Sequence, residues 1–456
     1  MTLAAVELLL QDALEGHRSG RVTEARLRYQ QVLVLQPAQT EAMSLLPVTY
    51  SPARSIDTAW GGRATRLSPD NVMSRINHAC HLKSVGQLSL AASECLVAQT
   101  LDPTDIDGHY NQGVVSETLG NFDLAIHHYR RALTVNPSSL LTQSNLAICL
   151  LATGDFEEGW RLYETRFNYE GFQAWSAYQF AYPRWDGVAD IRGKKLVLWA
   201  EQGLGDALQF CRFASLLANA GAVVTILANT ALRRIFYSLR GVNSVCVEPP
   251  SDQDFHFPLM SLPYILRIKN QNIPFDSQSY LTAQESDIAD WLTQVKDIAS
   301  PKVGLVWRAG AISKIAGRNL DIEWLARLSE LEINYVCLQK EVTAQDLEFL
   351  KSKNNIKVLE RQQRDFADTA AIIDSLDLVI TVDTSVAHLA GALGKETWIL
   401  LPKVCDWRWM VSRRDSPWYS SVRLFRQEIQ GDWSSVVNAV KQELAERFST
   451  SNVKLK

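Results

Sequence analysis

Small and apolar residues recur along the first 170 residues at helical spacing, and the pattern itself repeats. Gly20, Ala25, Tyr29, Val32 and Pro37 form one set; Gly86, Ala91, Cys95, Ala98 and Pro103 form another; Gly120, Ala125, Tyr129, Ala132 and Pro137 form a third with the same offsets. Past Arg192 short apolar runs alternate with helical stretches. Runs at Lys195 to Ala200, Val223 to Ala228 and Ser244 to Val247 predict strands, with helices from Asp206 to Ala220 and from Thr230 to Leu239. A weaker stretch from Asp254 to Leu281 completes this unit. A second series of strands is predicted at Lys302 to Trp307, Tyr335 to Leu338, Ile356 to Leu359, Leu378 to Val382 and Thr397 to Leu401, before a last amphipathic helix from Asp432 to Phe448 that packs back across the domains.

The second and third glycine-to-proline sets lie 34 residues apart, the period of a helix-turn-helix tetratricopeptide repeat. In such a repeat small residues let helices approach closely and proline ends the second helix. The interval from Pro37 to Pro103 is nearly two periods, with Pro69 near its middle, but Pro47, Pro52, Gly61 and Gly62 predict a broken, irregular repeat there. A further unit runs from Ser138 through Glu164 and drifts from the pattern as a capping repeat does. Stacked repeats form a concave surface suited to an extended peptide or helix, so a protein or peptide partner is expected, the alternative being packing on the rest of the chain or dimerisation. The alternation of strands and helices after Arg192 predicts two parallel, doubly wound, Rossmann-like sheets, with a ligand cleft at the carboxyl ends of their strands. The expected order is a helical repeat solenoid over 1–170, an aromatic packed linker over 171–191, α/β domains over 192–299 and 300–430, and a helix and tail over 431–456.

A net charge of -4 and the lack of a basic, aromatic-interleaved cluster argue against nucleic acid. No apolar run reaches the ~18 residues needed to span a bilayer, and Glu7, Asp12 and Glu15 do not suit a secretory leader. Seven cysteines without a C-x-x-C pair suit reduced thiols, so the expected location is cytoplasmic. The 13 tryptophans concentrate at 160–200 and 398–433, where an aromatic core is expected before a lined groove. Oligomeric state is left open.

Two strand ends carry candidate chemistry. Asp383-Thr384-Ser385-Val386-Ala387-His388 follows a strand and opens a helix, which aims free backbone N–H groups at one point and makes an anion site. Glu201-Gln202-Gly203-Leu204-Gly205-Asp206 does the same after the strand at 195. Gly203-x-Gly205-x-x-Leu208 lacks a third glycine, and Leu227-Ala228-Asn229 stands where a ribose-binding carboxylate would end the second strand, so a dinucleotide fingerprint is not met. A Gly-Lys-Ser/Thr phosphate loop and a metal-ligand spacing are also missing.

Through Glu201 to Phe210 and Asp383 to Gly394, the chain resembles the heptosyltransferase-like glycosyltransferases of family 9. It looks most like a bacterial branch that carries tetratricopeptide repeats in front, as do the Gly154 to Glu164 stretch, Asp406-Trp407-Arg408-Trp409 and Ser416-Pro417-Trp418-Tyr419. The resemblance covers nearly the whole chain. It implies a GT-B fold, a nucleotide-diphosphate sugar donor on the C-terminal half, an acceptor mainly on the N-terminal half, and inverting transfer of a hexosyl or heptosyl group without a cofactor or metal.

It also implies residue roles. Asp206 matches the general base, the alternative being an N-cap, and Glu201 is the reserve base, the alternative being a structural salt bridge. Gln202, Gly203, Gly205 and Gln209 belong to the acceptor-side loop. Thr384 and Ser385 contact phosphate or sugar; Asp383 holds a sugar hydroxyl or caps the helix; His388 reaches a phosphate or hydroxyl or is simply packed. Arg308, Lys314 and Arg318 supply cationic contacts to the donor or a solvated loop, and Gln339 contacts the base or ribose or packs as a polar residue. Relatives show a Gly-Asn-Pro-x-His type loop where this chain reads Arg308 to Arg318. That departure favours a second reading, a non-catalytic repeat scaffold or nucleotide-sugar sensor with a vestigial α/β module.

Overall fold

A computed structural model describes residues 3–50, 58–168, 178–310 and 317–449. The chain divides into two compact units, Met1–Leu150 and Leu151–Lys456.

The first unit is built of antiparallel helix pairs: α1 (Leu3–Arg18) with α2 (Val22–Leu35), α3 (Thr40–Leu45) with α4 (Thr58–Leu67), α5 (Val72–Ser84) with α6 (Leu88–Leu101), and α7 (Ile106–Thr118) with α8 (Phe122–Val135). The repeated sequence positions are the repeated structural positions. Ala25, Ala91 and Ala125 are fully buried, as are Tyr29, Cys95 and Tyr129. Gly20, Gly86 and Gly120 end the first helix of a pair at φ of 78°, 80° and 82°, left-handed backbone that glycine adopts without a Cβ penalty. Each proline is followed two residues later by a cap: the side chains of Gln39, Asn71 and Asp105 accept from the backbone N–H three residues on.

The irregular repeat is only partly as its sequence predicts. Pro47 does stop α3, which passes into a short 3-10 turn at Pro47–Thr49, and Pro52 lies outside the described residues. Gly61 and Gly62, by contrast, do not break the chain; both lie inside α4. Gly61 is there for clearance, since a Cβ would stand 2.6 Å from the ring of His78.

The helix α9 (Leu140–Thr153) spans the boundary, and α10 (Phe156–Tyr163) belongs to the second unit, so residues 151–168 depart from the predicted 1–170 solenoid. The cause is aromatic packing. Trp160 of α10 is 1% exposed and meets Phe210, Trp407 and Trp418 edge-on at 5.8, 5.2 and 6.5 Å between ring centroids. Trp291, Trp307, Trp409 and Trp418 are also fully buried, as expected of an aromatic core.

The rest of the second unit holds two sheets with all named strands parallel. The first comprises β1 (Lys195–Trp199), β2 (Val223–Leu227), β3 (Val242–Cys246) and β4 (Phe255–Pro258) in the order β3-β2-β1-β4. The second comprises β5 (Lys302–Val306), β6 (Asn334–Cys337), β7 (Ile356–Lys357), β8 (Leu378–Val382), β9 (Thr397–Leu401) and β10 (Val422–Arg426) in the order β10-β9-β8-β5-β6-β7. Chain direction across the sheet reverses beside β1 in the first and between β5 and β8 in the second. Loops at such switch points leave a crevice at the carboxyl ends of the strands. The central strands are continuous apolar runs because both faces are covered; every residue of β8 and β9 is buried.

Four details differ from the sequence pattern. The predicted helix from Asp206 to Ala220 is three pieces: α11 (Leu204–Phe210), a 3-10 turn at Cys211–Phe213, and α12 (Ala214–Asn219). Within the turn, Arg212 Nε donates to the Gln209 carbonyl oxygen at 2.9 Å and takes over a helix acceptor. The strand at Ile356 is two residues long, and β10 has no counterpart among the predicted strands. The C-terminal helix, Trp433–Ser449, is no separate element: Val436, Val437, Val440 and Leu444 complete the core of the second sheet with Trp398 and Phe425. The described part of the linker does pack: Pro183 to Trp185 runs beside the edge strand β4, with Trp185 N–H donating to the His256 carbonyl at 2.9 Å and Phe180 stacked on the His256 ring at 4.1 Å.

Gly304, in the middle of β5, has no room for a side chain, since a Cβ would stand 2.6 Å from Leu338 and 2.7 Å from Leu376. Gly304→Ala is expected to destabilise the protein by about 1–3 kcal/mol through overpacking, read as a lower urea midpoint at unchanged slope.

Candidate functional site

The loops after β1 and β8 lie against each other. Helix α11 starts after the Glu201–Gly203 loop, and α19 (Ser385–Ala392; α13 to α18 are the helices Thr230–Phe236, Leu262–Ile265, Glu285–Val295, Ile322–Leu328, Ala344–Lys351 and Phe366–Asp374) starts after Asp383. Their starts touch at Gly205, where a Cβ would stand 2.9 Å from the ring of His388 and 3.5 Å from the Ser385 backbone. Only glycine permits that approach.

Asp206 sits at the third position of α11 rather than at its N-cap, which is Gly203. One carboxylate oxygen accepts the Gly203 N–H at 2.8 Å, the returning half of a capping box. The other is paired with Arg408. Arg408 comes from the 3-10 turn Trp407–Trp409, donates from Nη1 to Asp406 at 2.8 Å and from Nε to Gln209 Oε1 at 2.8 Å, and lies over the Trp407 ring at 4.3 Å. Burial pushes the Asp206 carboxyl above its ordinary range, with Arg408 the main opposing influence. Gln209 is fully buried under Arg408 and is therefore not part of an open acceptor loop. Gln202 is hydrogen-bonded to the hydroxyl of Tyr163 at 3.0 Å, while Gly203 lies exposed.

Glu201, expected as the reserve base, is instead held in the structural salt bridge that was the alternative. Its side chain is shut off from solvent and paired with Arg166 at 2.7 Å; Arg166 also reaches Glu164 at 2.7 Å and the Ser261 hydroxyl at 2.7 Å. Burial raises Glu201 to about 7 against the pull of Arg166, and its second oxygen has no hydrogen-bond partner among the described residues.

On the other side of the contact, Asp383 is buried and paired with Arg318 at 2.6 Å. It does not cap α19; Thr384 occupies the N-cap position, and its hydroxyl meets that of Thr381 at 3.0 Å. His388 shares Nδ1 with the Tyr419 hydroxyl at 3.0 Å and stacks on Trp409 at 5.1 Å. Burial first, and then Arg408, Arg318 and Arg212, hold its ring well below the ordinary histidine range, so it is neutral at pH 7.

Two other donor-side residues, Arg308 and Gln339, are drawn elsewhere. Arg308 pairs with the buried Asp346 at 2.9 Å. Gln339 Oε1 accepts the backbone N–H groups of Trp307 and Arg308 at 3.3 and 3.1 Å, so its carbonyl serves the turn rather than a base or ribose. Lys314 lies outside the described residues. The structure thus gathers Gly203, Gly205, Asp206, Asp383, Ser385, His388 and Arg318, and adds Asp406, Arg408 and Tyr163, whose roles the sequence does not announce. The signals for them were the aspartate–tryptophan–arginine–tryptophan run for Asp406 and Arg408, and the Gly154 to Glu164 stretch for Tyr163.

Two other charged features lie apart. Arg234, on α13, bridges to Asp365 at 3.0 Å and Asp368 at 3.1 Å on the second half, and also pairs with Asp287. A groove of about 670 Å³ opens at the amino ends of β9 and β10, where Arg423 and Arg447 are matched by Glu443 and Glu396. Among the described residues no three His, Cys, Asp or Glu side chains are grouped as metal ligands, and no helix is long and apolar enough to cross a membrane.

Comparison with known proteins supports the class of the first unit. The tetratricopeptide-repeat family matches residues 106–139, the α7/α8 pair. The chain therefore carries a tetratricopeptide repeat at 106–139 in its first unit and a parallel-sheet α/β unit after it. It is 26% identical over 377 residues to Protein FlbA of Caulobacter vibrioides, a match covering 75% of this chain and 62% of FlbA. It is 29% identical over 144 residues to the probable biofilm formation methyltransferase WspC of Pseudomonas putida, covering 29% of this chain and 34% of WspC. The chain thus spans about three fifths and one third of the lengths of these relatives. Similar solved structures include a thermophilic TPR protein of Thermus thermophilus, at 19% identity and TM-score 0.32 over 36% of this chain and 92% of that one. Another is PilW, a type IV pilus biogenesis factor, at 18% identity and TM-score 0.34 over 38% of this chain and 83% of that one.

Glu201 makes the pH dependence of stability testable. Its carboxyl titrates at about 4.5 unfolded and about 7 folded, so the folded protein binds the proton more tightly and this contribution is full below about 4.5. It is lost as pH rises through about 7. Wild-type stability is expected to fall relative to Glu201→Gln across that window, by on the order of 3 kcal/mol, measured from urea unfolding at several pH values.

Proposed function

We propose that this protein is a glycosyltransferase of GT-B type, which moves a sugar from a nucleotide-diphosphate donor to a protein or peptide recognised by the repeat array. The observation that carries the reading is the meeting of two helix-opening loops, one holding Asp206 and the other the Asp383–Ser385 turn with Arg318, at the carboxyl ends of two parallel sheets. In this reaction Asp206 takes the proton of the acceptor hydroxyl or amide. The acceptor atom bonds to the anomeric carbon as the bond from that carbon to the phosphate oxygen breaks, with inversion. The leaving diphosphate takes up the negative charge and is met by the free N–H groups at the start of α19 and by Arg318, contacts that do not require a metal. His388, neutral and packed, would orient α19 rather than bind as a cation. The long match to FlbA is compatible with this reading but names no chemistry.

A second reading, a nucleotide-sugar sensor or non-catalytic scaffold, is favoured by commitments the expected site residues already make: Asp206 is paired with Arg408, Gln339 with backbone outside the site, and Gly205 lies against His388. A thermal-shift screen over nucleotide sugars separates the two, since a donor at 100 times its Kd stabilises by about 2.7 kcal/mol. The transferase reading expects a donor shift, release of nucleoside diphosphate and a sugar-sized mass increment on a co-expressed protein. It also expects Asp206→Asn to lower kcat by about 10²–10⁴-fold with donor binding retained. A donor shift without turnover in the wild type would make the protein a sensor, and no binding or consumption of any nucleotide sugar would end both donor-based readings.

A further inference from the structure

Arg408 reaches from the second α/β half to the first and has its directions of bonding committed. Its Nη2 pairs with Asp206, Nη1 with Asp406 at 2.8 Å and Nε with Gln209 at 2.8 Å, while the Trp407 ring covers one guanidinium face. The side chain is 7% exposed. A planar fork held on three sides cannot turn, so it fixes whatever it binds. Asp206 is therefore gripped through one oxygen by Arg408 and through the other by the Gly203 N–H. Each carboxylate oxygen has a second lone pair, and the side chain stays 20% exposed, so a path for a proton remains.

We propose, resting on the transferase reading above, that Arg408 is a positioning residue for the transfer: reaching across the contact between the two halves, it fixes the orientation and the charge of Asp206. Few groups face that carboxylate. Its own helix offers neutral Gln209, the turn at 406–408 brings Arg408 and the opposing Asp406, and α10 brings Tyr163. The loop after β5 brings Arg318, which is committed to Asp383, and α19 brings the uncharged His388 next to Gly205. Arg408 is thus the cation in direct contact, and its loss leaves a buried carboxylate beside Asp406 with no counter-charge bonded to it. The same commitments argue against a primary role on the donor: to reach a phosphate, Arg408 would have to abandon three bonds and a covered face.

The test compares wild type with Arg408→Met and Arg408→Lys in the full chain, using the nucleotide sugar with the largest thermal shift. In Arg408→Met the acid limb of the kcat/KM profile is expected to move up by about one unit or more, as the uncompensated carboxyl protonates. Arg408→Lys keeps the charge without the fork, so its acid limb stays near wild type while kcat falls severalfold. A second arm needs no turnover. Arg408→Met is expected to lose thermal midpoint progressively as pH rises above about 5, and adding Asp206→Asn should restore it by removing the stranded charge. An arginine that merely ties the halves together would give a pH-independent loss that Asp206→Asn does not relieve. Turnover with an unmoved acid limb overturns the proposal and leaves the transferase standing. Absent turnover with restored stability in the double variant overturns the transferase, and the positioning role with it, while the charge coupling remains.

Discussion

The Gly205–His388 contact is the constraint on which the second unit turns. Two helices begin at the carboxyl ends of two sheets, and their first turns meet where one carries no side chain. That proximity removes water from Asp383 and His388, leaves Asp206 only partly exposed, and makes their charges depend on one another. Two arginines answer the two carboxylates: Arg318 at Asp383 and Arg408 at Asp206. Arg212 does the same for backbone, donating to the Trp418 carbonyl at 2.8 Å and to the Tyr280 hydroxyl at 3.0 Å from a fully buried position. A buried guanidinium is tolerated only when its donors are used, and all three nitrogens of Arg212 and of Arg408 are.

The halves are further tied where Arg234 meets Asp365 and Asp368, and where Trp160 inserts between Phe210 and the tryptophans of the 406–418 segment. The aromatic contact is the reason α10, a repeat helix by sequence, is part of the α/β unit by packing. A tetratricopeptide helix normally buries its apolar stripe on its neighbours. Phe156, Trp160 and Tyr163 present a stripe wide enough to be buried on Phe210, Trp407 and Trp418 instead.

The fold was legible where a residue type answers a local backbone demand. Gly20, Gly86 and Gly120 mark left-handed turns, the prolines mark helix ends, and the apolar runs of β8 and β9 coincide with the predicted strands residue for residue. It was less legible where packing decides. Gly61 reads as a breaker and is a clearance beside His78, and Val422–Arg426 became a strand because β9 offers it a free edge. The site divides the same way. The loops at 201–206 and 383–388 could be found from strand–turn–helix pattern alone, whereas the commitments of Arg308 to Asp346 and of Gln339 to the 307–308 backbone depend on elements 30 to 40 residues away.

By itself the sequence determined the repeat period, the alternation of strands and helices, and the two helix starts whose free N–H groups suit anions, because each follows from the preferences of neighbouring residues. Tertiary structure alone decided which charges are paired. Asp206 and Arg408 stand 202 positions apart, and Glu201 and Arg166 stand 35 apart. Whether a carboxylate in this chain is a free base, a capped one or a buried half of an ion pair depends on water excluded by both halves at once, and no run of adjacent residues records that.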